Sequence, residues 1–305
     1  MDKLGAMRAF VAVVDSGGFG RAAERLALPK ATVSQRVQAL EAALGVRLLQ
    51  RTTRRVTPTV DGEAYHGRCL RWLAEIDEAE RALRGEAERP SGVLRVEMLA
   101  SLARWIVAPA LPDFVERHPG IELRLGCADR LVDLLEDGVD CAVRGGVLPS
   151  SSLVARHVVD VTLALYASPS YVSRAGVPDG PDALATHRRL GWLDGRSGRP
   201  EDWTLGRADA AARVVGPPTL AFDDGEACLA ACIAGAGIAP AAPFAADAAV
   251  RAGALVPVLA GWSTGTRPVH VVWPSRRHLA PRVRVFVDWV TALVREHPGM
   301  AAVHR

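Results

Sequence analysis

One spacing near the start leaves this chain little conformational freedom. Ala23 is followed by Ala27 four residues on, and by Val33 and Ser34 ten and eleven residues on. Two short helical patterns meet between them at "ALP", Ala27 to Pro29. A proline fits at or just before a helix start, where its missing N–H costs little. A small Ala23 lets the two helices approach and an apolar Val33 locks them together. That is the packing skeleton of a helix-turn-helix. A plain helical hairpin is the alternative, and many helix-turn-helix chains have glycine where this one has Ala27.

The flanking pattern extends the reading. Leu4, Met7, Val11 and Val14 repeat at helical spacing, and "SGG" from Ser16 stops that first helix. A second helix is expected over 19–26, with Ala22, Ala23 and Leu26 inward. In the third, from Lys30, the inward residues are Val33, Val37, Leu40 and Leu44. Ala31, Gln35 and Gln38 then fall on the opposite side, flanked by Lys30 and Ser34, with Thr32 close by. These groups suit a major-groove helix. Glutamine pairs with adenine, lysine with guanine or phosphate, and alanine or threonine meets a thymine methyl. Leu48 and Leu49 next anchor a basic stretch, Arg51, Thr52, Thr53, Arg54 and Arg55, which reads as the tip of a two-stranded wing for phosphates or the minor groove. Residues 1–60 hold ten lysines and arginines against four acids, so they carry +6 while the remaining 245 carry −3. A polyanionic partner is thus expected for the first segment only.

The run "AAERLALPKATVSQRVQALEAALGVRLLQRTTRRVTPTVDGE" resembles the DNA-binding segment of the LysR-type transcriptional regulators over some forty residues in order. The resemblance implies that Lys30, Ala31, Ser34 and Gln35 face base edges or nearby phosphates, and that Arg51 to Arg55 contact the backbone. It also implies a dimerising helix after the wing. From Val60 to Glu88 there is no proline, and Cys69, Trp72, Ile76, Ala79 and Leu83 form a short heptad seam. A helix packed on its own domain is the alternative. A dimer would place two recognition helices on two half-sites of a roughly palindromic operator.

"ERPSG" reads as a hinge, and strand and helix patterns then alternate as in an α/β domain with a parallel sheet. A helix is expected around 131–137, a second α/β set from "VTLALYAS", a strand at "PVHVVW", and a long last helix over 281–297. The resulting expectation is a multidomain chain. A winged helix-turn-helix occupies 1–59, a linker helix 60–88, a hinge 89–92, and a two-lobed effector domain resembling periplasmic binding proteins 93–305. Lobe I takes about 93–161 and 268–305, and lobe II about 162–267. "DRLVDLLEDGVDCAVRGGVLPSSSLVARHV" and "GAGIAP" resemble the matching segments of LysR-type effector domains.

That resemblance places an effector cleft at Ala100, Ser101 and Leu102, at Cys127, Ala128 and Asp129, at Arg144, Gly145 and Gly146, and at Phe222 and Asp223. Ser101 at a helix start suggests backbone amides meeting a small organic anion. Asp129, Asp223 and Asp224 instead favour amines or hydroxyls, so the ligand class stays open.

Other classes find little support. No Gly-x-Ser-x-Gly elbow, phosphate-binding loop or HExxH stands in the chain, and its histidines are dispersed. The five cysteines are odd in number and lack a CxxC pair, against a disulfide framework or zinc. Cys228 and Cys232, one helical turn apart, read as core residues, with a thiol switch as the alternative. No apolar run reaches the ~18 residues a membrane helix needs. The expected partners are double-stranded operator DNA, a small-molecule effector, RNA polymerase and further copies of the chain as a dimer or tetramer. No membrane, metal or cofactor is expected, and the compartment is cytoplasmic. An effector-independent architectural DNA-binding protein and an enzyme on the two-lobed domain are the competing readings.

Overall fold

The first helix starts where the Asp2 carboxylate accepts a hydrogen bond from the Gly5 amide at 2.8 Å. From there a computed structural model describes residues 2–51, 56–83, 90–129, 133–134, 137–148, 153–194, 197–207, 210–275 and 279–300. Two units separate, Met1–Arg89 and Pro90–Arg305.

In the first unit, α1 (Lys3–Ser16) ends at Gly17, whose φ of +63° lets the chain turn left-handed. Its buried residues are Ala6, Met7 and Ala9 to Val13, centred on a fully enclosed Phe10. This is broader than the expected stripe, and Leu4 and Val14 lie at its margin. The breadth arises because α1 packs against α2 (Phe19–Leu26), α3 (Lys30–Leu44) and a later helix together. Ala22 and Ala23 are buried on α2, and Val33, Val37 and Leu40 are fully buried on α3. The turn between them is closed by hydrogen bonds from Ala27 N to Glu24 O at 3.1 Å and from Leu28 N to Ala23 O at 3.0 Å. Pro29, with ψ of 139°, stands just ahead of α3. Antiparallel β1 (Leu49–Arg51) and β2 (Val56–Pro58) form the two-stranded wing, and α4 (Val60–Leu83) follows.

The second unit opens with β3 (Gly92–Met98). A helix enters as α5 (Ala100–Leu102), widens through a π-helical stretch at Ala103–Val107, and continues as α6 (Ala108–Arg117). Then come β4 (Ile121–Cys127) and β5 (Cys141–Gly145). β3 pairs in parallel with both, as the alternating pattern predicts. The helix expected around 131–137 falls largely outside the described residues, as does the start of the expected hinge.

Two long strands differ from expectation. β6 (Leu153–Ala167) continues unbroken into "VTLALYA", so that segment is the second half of a strand rather than the start of a new set. Its partner β12 (Val256–Pro274) likewise absorbs "PVHVVW". They pair antiparallel along most of their length, with register shifts between Val258 and Ser263, Ser263 and Thr266, and Val269 and His270. Polar residues such as His157 and Asp160 interrupt the apolar pattern, yet both stay paired with β12, the register shifting by one residue beside His157. One lobe holds β3, β4, β5 and the last helix α10 (Pro281–Glu296). The other holds α7 (Pro169–Ala175), β7 (Leu190–Trp192), β8 (Trp203–Arg207), β9 (Ala210–Val214), β10 (Leu220–Phe222), α8 (Gly225–Ile233), β11 (Ala239–Ala241) and α9 (Pro243–Arg251). Both β6 and β12 run through the two lobes.

Ala27 is left-handed, at φ 51° and ψ 41°. A Cβ in that region costs roughly 1–2 kcal/mol, and glycine's larger unfolded-state entropy returns about 0.4–1 kcal/mol of this. Ala27→Gly is therefore expected to stabilise the first unit by roughly 0.5–1 kcal/mol. Chemical denaturation checks this; a lowered midpoint would mean the alanine methyl makes a contact worth more than the strain.

Candidate nucleic-acid and ligand sites

Burial of Val33, Val37 and Leu40 fixes which way α3 turns, and so which residues it presents to solvent. Ala31, Gln35 and Gln38 are exposed on the opposite side, Lys30 is exposed at its flank in the first turn, and Thr32 and Ser34 are half-buried at its edges. The wing is tied to this helix by Glu41. One of its carboxylate oxygens accepts from the Leu48 amide at 2.9 Å and the Leu49 amide at 3.1 Å. The far side of the wing is tied to α4. Thr59 donates its hydroxyl to Arg47 O at 2.8 Å and accepts from Gly62 N at 2.9 Å, while its own amide donates to Leu48 O at 2.9 Å. Gly62 is required there, because a Cβ would fall 2.0 Å from Leu48 O. Thr52, Thr53, Arg54, Arg55 and the side chain of Arg51 lie outside the described residues. Helical periodicity did not find Glu41. The available signal was a lone acid late in a basic segment, eight residues before a strand whose entry amides need an acceptor.

The seam expected along α4 divides. Cys69 is fully buried in this unit's own core, with Leu73 beside it, so that part of the helix packs on α1 rather than facing a partner. Burial pushes its thiol up to about 11. An aromatic row runs Phe10 to Tyr65 to Trp72, each step 5.9 Å between centroids. Trp72 remains 41% exposed, and Ile76 is half-buried. The side chains of Ala79 and Leu83 lie outside the described residues. Arg8 of α1 and Asp77 of α4 pair at 2.5 Å, and Asp15 of α1 meets both His66 of α4 at 2.9 Å and Arg25 at 3.2 Å.

In the second unit, the ends of β3, β4 and β5 bring the expected cleft residues to one place, with changed roles. The helix opens at Ala100 after Leu99, which makes no side-chain cap. Ser101 is therefore inside the first turn, not at its start. Leu102 is 1% exposed and belongs to the core, so it does not line a cleft. The Ala100 amide is occupied: it donates to Asp129 Oδ1 at 3.0 Å. The other Asp129 oxygen accepts from Gly225 N at 2.8 Å, across the lobes. Cys127 is exposed and Ala128 is half-buried, its amide on Met98 O at 3.1 Å. Arg144 is buried on β5; burial lowers its pKa, while Glu97 and Asp129 nearby raise it. Glu97 lies over Gly126, where a Cβ would fall 1.9 Å from its carboxylate. Gly145 is exposed, and Gly146, at φ +89°, donates to Pro268 O at 2.9 Å. Phe222 packs against the main core and Asp223 is exposed. The α8 cap is Asp224, accepting from Glu226 N at 2.8 Å and Ala227 N at 3.0 Å.

Sequence reasoning missed a side-chain contact between the lobes. The Trp105 indole N–H lies 3.0 and 3.1 Å from the two oxygens of Glu226, and Arg104 reaches the same carboxylate at 3.5 Å. A single acid among apolar residues in "GEACLAACI" was the available clue. On that same helix, Cys228 and Cys232 are buried, and burial pushes both thiols up to about 12. Cys232 donates to Tyr166 O at 3.3 Å. Thiolate chemistry at neutral pH is disfavoured at both, which supports the core reading.

Residues 4–63 match the family model described as "Bacterial regulatory helix-turn-helix protein, lysR family", and residues 87–295 match the "LysR substrate binding domain". A similar curated protein is an HTH-type transcriptional repressor of Pseudomonas aeruginosa, 51% identical, with 98% of this chain and 94% of that one covered. Among solved structures, the LysR-type transcriptional regulator CrgA of Neisseria meningitidis aligns with a TM-score of 0.60 and 36% identity, covering 94% of this chain and 97% of that one. The full-length virulence activator AphB of Vibrio cholerae aligns with a TM-score of 0.59 and 27% identity, covering 95% and 98%.

Glu226 carries a pH dependence whose sign follows from its surroundings. Burial raises its pKa most, and Asp224 and Asp129 add to this against the opposing Trp105 N–H and Arg104. A carboxyl with a raised folded-state pKa gives stability that is present below its unfolded value and lost as pH rises through the folded one. Glu226→Gln keeps an acceptor for Trp105 without the buried charge. The variant is expected to lose the part of the stability decline above about pH 4 that Glu226 supplies. Thermal unfolding across pH 4 to 7 reads this, and parallel curves for wild type and variant would remove Glu226 as the cause.

Proposed function

Because the chain belongs to the LysR family of effector-controlled, DNA-binding transcriptional regulators, we propose that α3 reads the base edges of operator DNA through Lys30, Ala31, Thr32, Ser34, Gln35 and Gln38. Arg51, Thr52, Thr53, Arg54 and Arg55 grip the backbone. The single observation that carries the reading is the polar, exposed face of α3, set opposite three fully buried side chains. A helix fixed on one side offers the other at constant geometry, which base readout requires. The charge of residues 1–60 supplies the sequence-independent part of the affinity.

The second unit receives a small molecule between its lobes, near Asp129, Arg144 and Phe222. It shifts the balance of two states by binding one of them more tightly. Two chains pair through α4 beyond Cys69, with Trp72 and Ile76 at the seam, and pairs assemble into tetramers. RNA polymerase is a further partner at activated promoters. The Pseudomonas aeruginosa relative is named a repressor, which favours repression as the sign of control. The second unit works by binding and carries no catalysis. No helix among the described residues is long and apolar enough to cross a membrane. A chromosomal partner supports the cytoplasm as the compartment.

The test is genome-wide binding of the purified protein to fragmented host DNA at physiological salt. A few enriched sites sharing a roughly palindromic motif are expected. Uniform enrichment that vanishes with modest added salt would leave only phosphate contacts and overturn the reading. Two substitutions then separate base from backbone contacts. Gln35→Ala is expected to reduce discrimination among operator variants by roughly 1–3 kcal/mol. Arg54→Ala is expected to weaken all sequences alike and to lower the salt slope by about one. Unchanged discrimination in the first, or an unchanged slope in the second, rejects that residue's role.

A further inference from the structure

We infer that Asp129 is a latch between the lobes, and that its release is the event that couples the effector cleft to operator binding. The inference rests on the reading that lobe geometry governs how the protein sits on DNA. Its basis is one carboxylate divided between two lobes. Oδ1 accepts from Ala100 N at 3.0 Å, in the lobe that carries Asp129 itself. Oδ2 accepts from Gly225 N at 2.8 Å, in the other.

Both amides are the first N–H groups of helices, which lack partners within their own helix and point their positive ends at the carboxylate. Asp129 therefore gains from both lobes at once, and the Gly225 amide reaches it only when the lobes are together. The residue at the contact fits this role. A Cβ on Gly225 would stand 3.3 Å from Asp129 Oδ2, so glycine there allows the approach. A second bond across the same gap is independent of the first: Trp105 of one lobe donates to Glu226 of the other at 3.0 Å. The next two amides of α8 are also taken, by Asp224. The protein thus fills with its own carboxylates the donors that would face an entering molecule. An effector that binds here displaces Asp129 or works against the lobe closure that Asp129 holds.

Asp129 is a positioning residue in this account, and two substitutions break its bridge from opposite ends. Asp129→Asn leaves one acceptor oxygen and turns a donor toward the other amide. Gly225→Pro removes the donor and sets the ring carbons where Oδ2 approaches, at a first helical position where a missing N–H is itself tolerated. The residue before it, Asp224, already has the extended geometry that precedes proline, φ −129° and ψ 118°.

The experiment combines hydrogen exchange of the full-length protein with nuclease protection of the highest-affinity genomic fragment, without any added effector. Asp129→Asn is expected to speed exchange at Gly225, in the other lobe, by about tenfold or more, its remaining oxygen staying on Ala100 within its own lobe. Both single variants are expected to shift the protected boundary on DNA in the same way, and the double variant no further than either, because they break one contact. Unchanged exchange at Gly225 in Asp129→Asn would overturn the latch. Protection identical to wild type, shifts in opposite directions, or additive shifts would overturn its coupling to DNA. Absence of any specific protection by the wild type would instead sink the operator reading, while exchange still decides whether the bridge forms.

Discussion

On the DNA-binding side, everything rests on the burial of one helix against another, α3 against α1. Val33, Val37 and Leu40 lie wholly inside, as does Phe10 facing them from α1's core side. Each such side chain contributes roughly 1.5–3 kcal/mol by leaving water. The gain is non-directional, but the spacing is not. Only one rotation of α3 buries all three residues, and that rotation decides which residues stay wet. The amides of Gln35 and Gln38 are presented because the valines and leucine are hidden. The wing inherits the same frame through Glu41, so helix and strand pair move together.

Much of this was legible in the sequence because it is local. A helix face repeats every three or four residues, so α3, its exposed side, and the closing helix α10 could be read directly. The tight turn at Ala27 was legible as a spacing, though its left-handed backbone was not. Contacts between distant residues leave no such trace. Asp129 and Gly225 stand 96 residues apart, and Trp105 and Glu226 stand 121 apart. The resemblance placed Asp129 in the cleft without naming its partner, and Gly225, Trp105 and Glu226 looked like ordinary loop or helix residues. Cys69 shows the opposite error. A heptad seam was visible along α4, but periodicity reports that a face is apolar without naming what covers it, and α1 covers the first part. The tip of the wing and the last turns of that helix lie outside the described residues.

The two units also differ in how they use charge. In the first, charge is mostly at the surface. The ion pairs Arg8–Asp77 and Arg25–Asp15 are well exposed and worth little individually. The second has exposed pairs too, such as Arg117–Asp113 and Arg213–Asp202, and adds a partly buried set: Arg144 near Glu97 and Asp129, and Glu226 held by Trp105. Groups held that way respond steeply to displacement, because a small movement leaves a desolvated charge without its partner. The surface arrangement suits tolerant attraction to a polyanion, and the interior one suits a decision between two states.

The paired strands β6 and β12 set what kind of movement that decision takes. A hinge made of loops would allow the lobes to bend, slide or separate. Here both connections are continuous strands, bonded to each other along most of their length. Sliding one past the other would break a ladder of backbone hydrogen bonds together, and pulling the lobes apart would stretch a chain already extended. Twisting costs far less, because strands carry a right-handed twist that varies over tens of degrees. The pair therefore acts as a torsion bar, and what a bound molecule changes at one end arrives at the other as rotation.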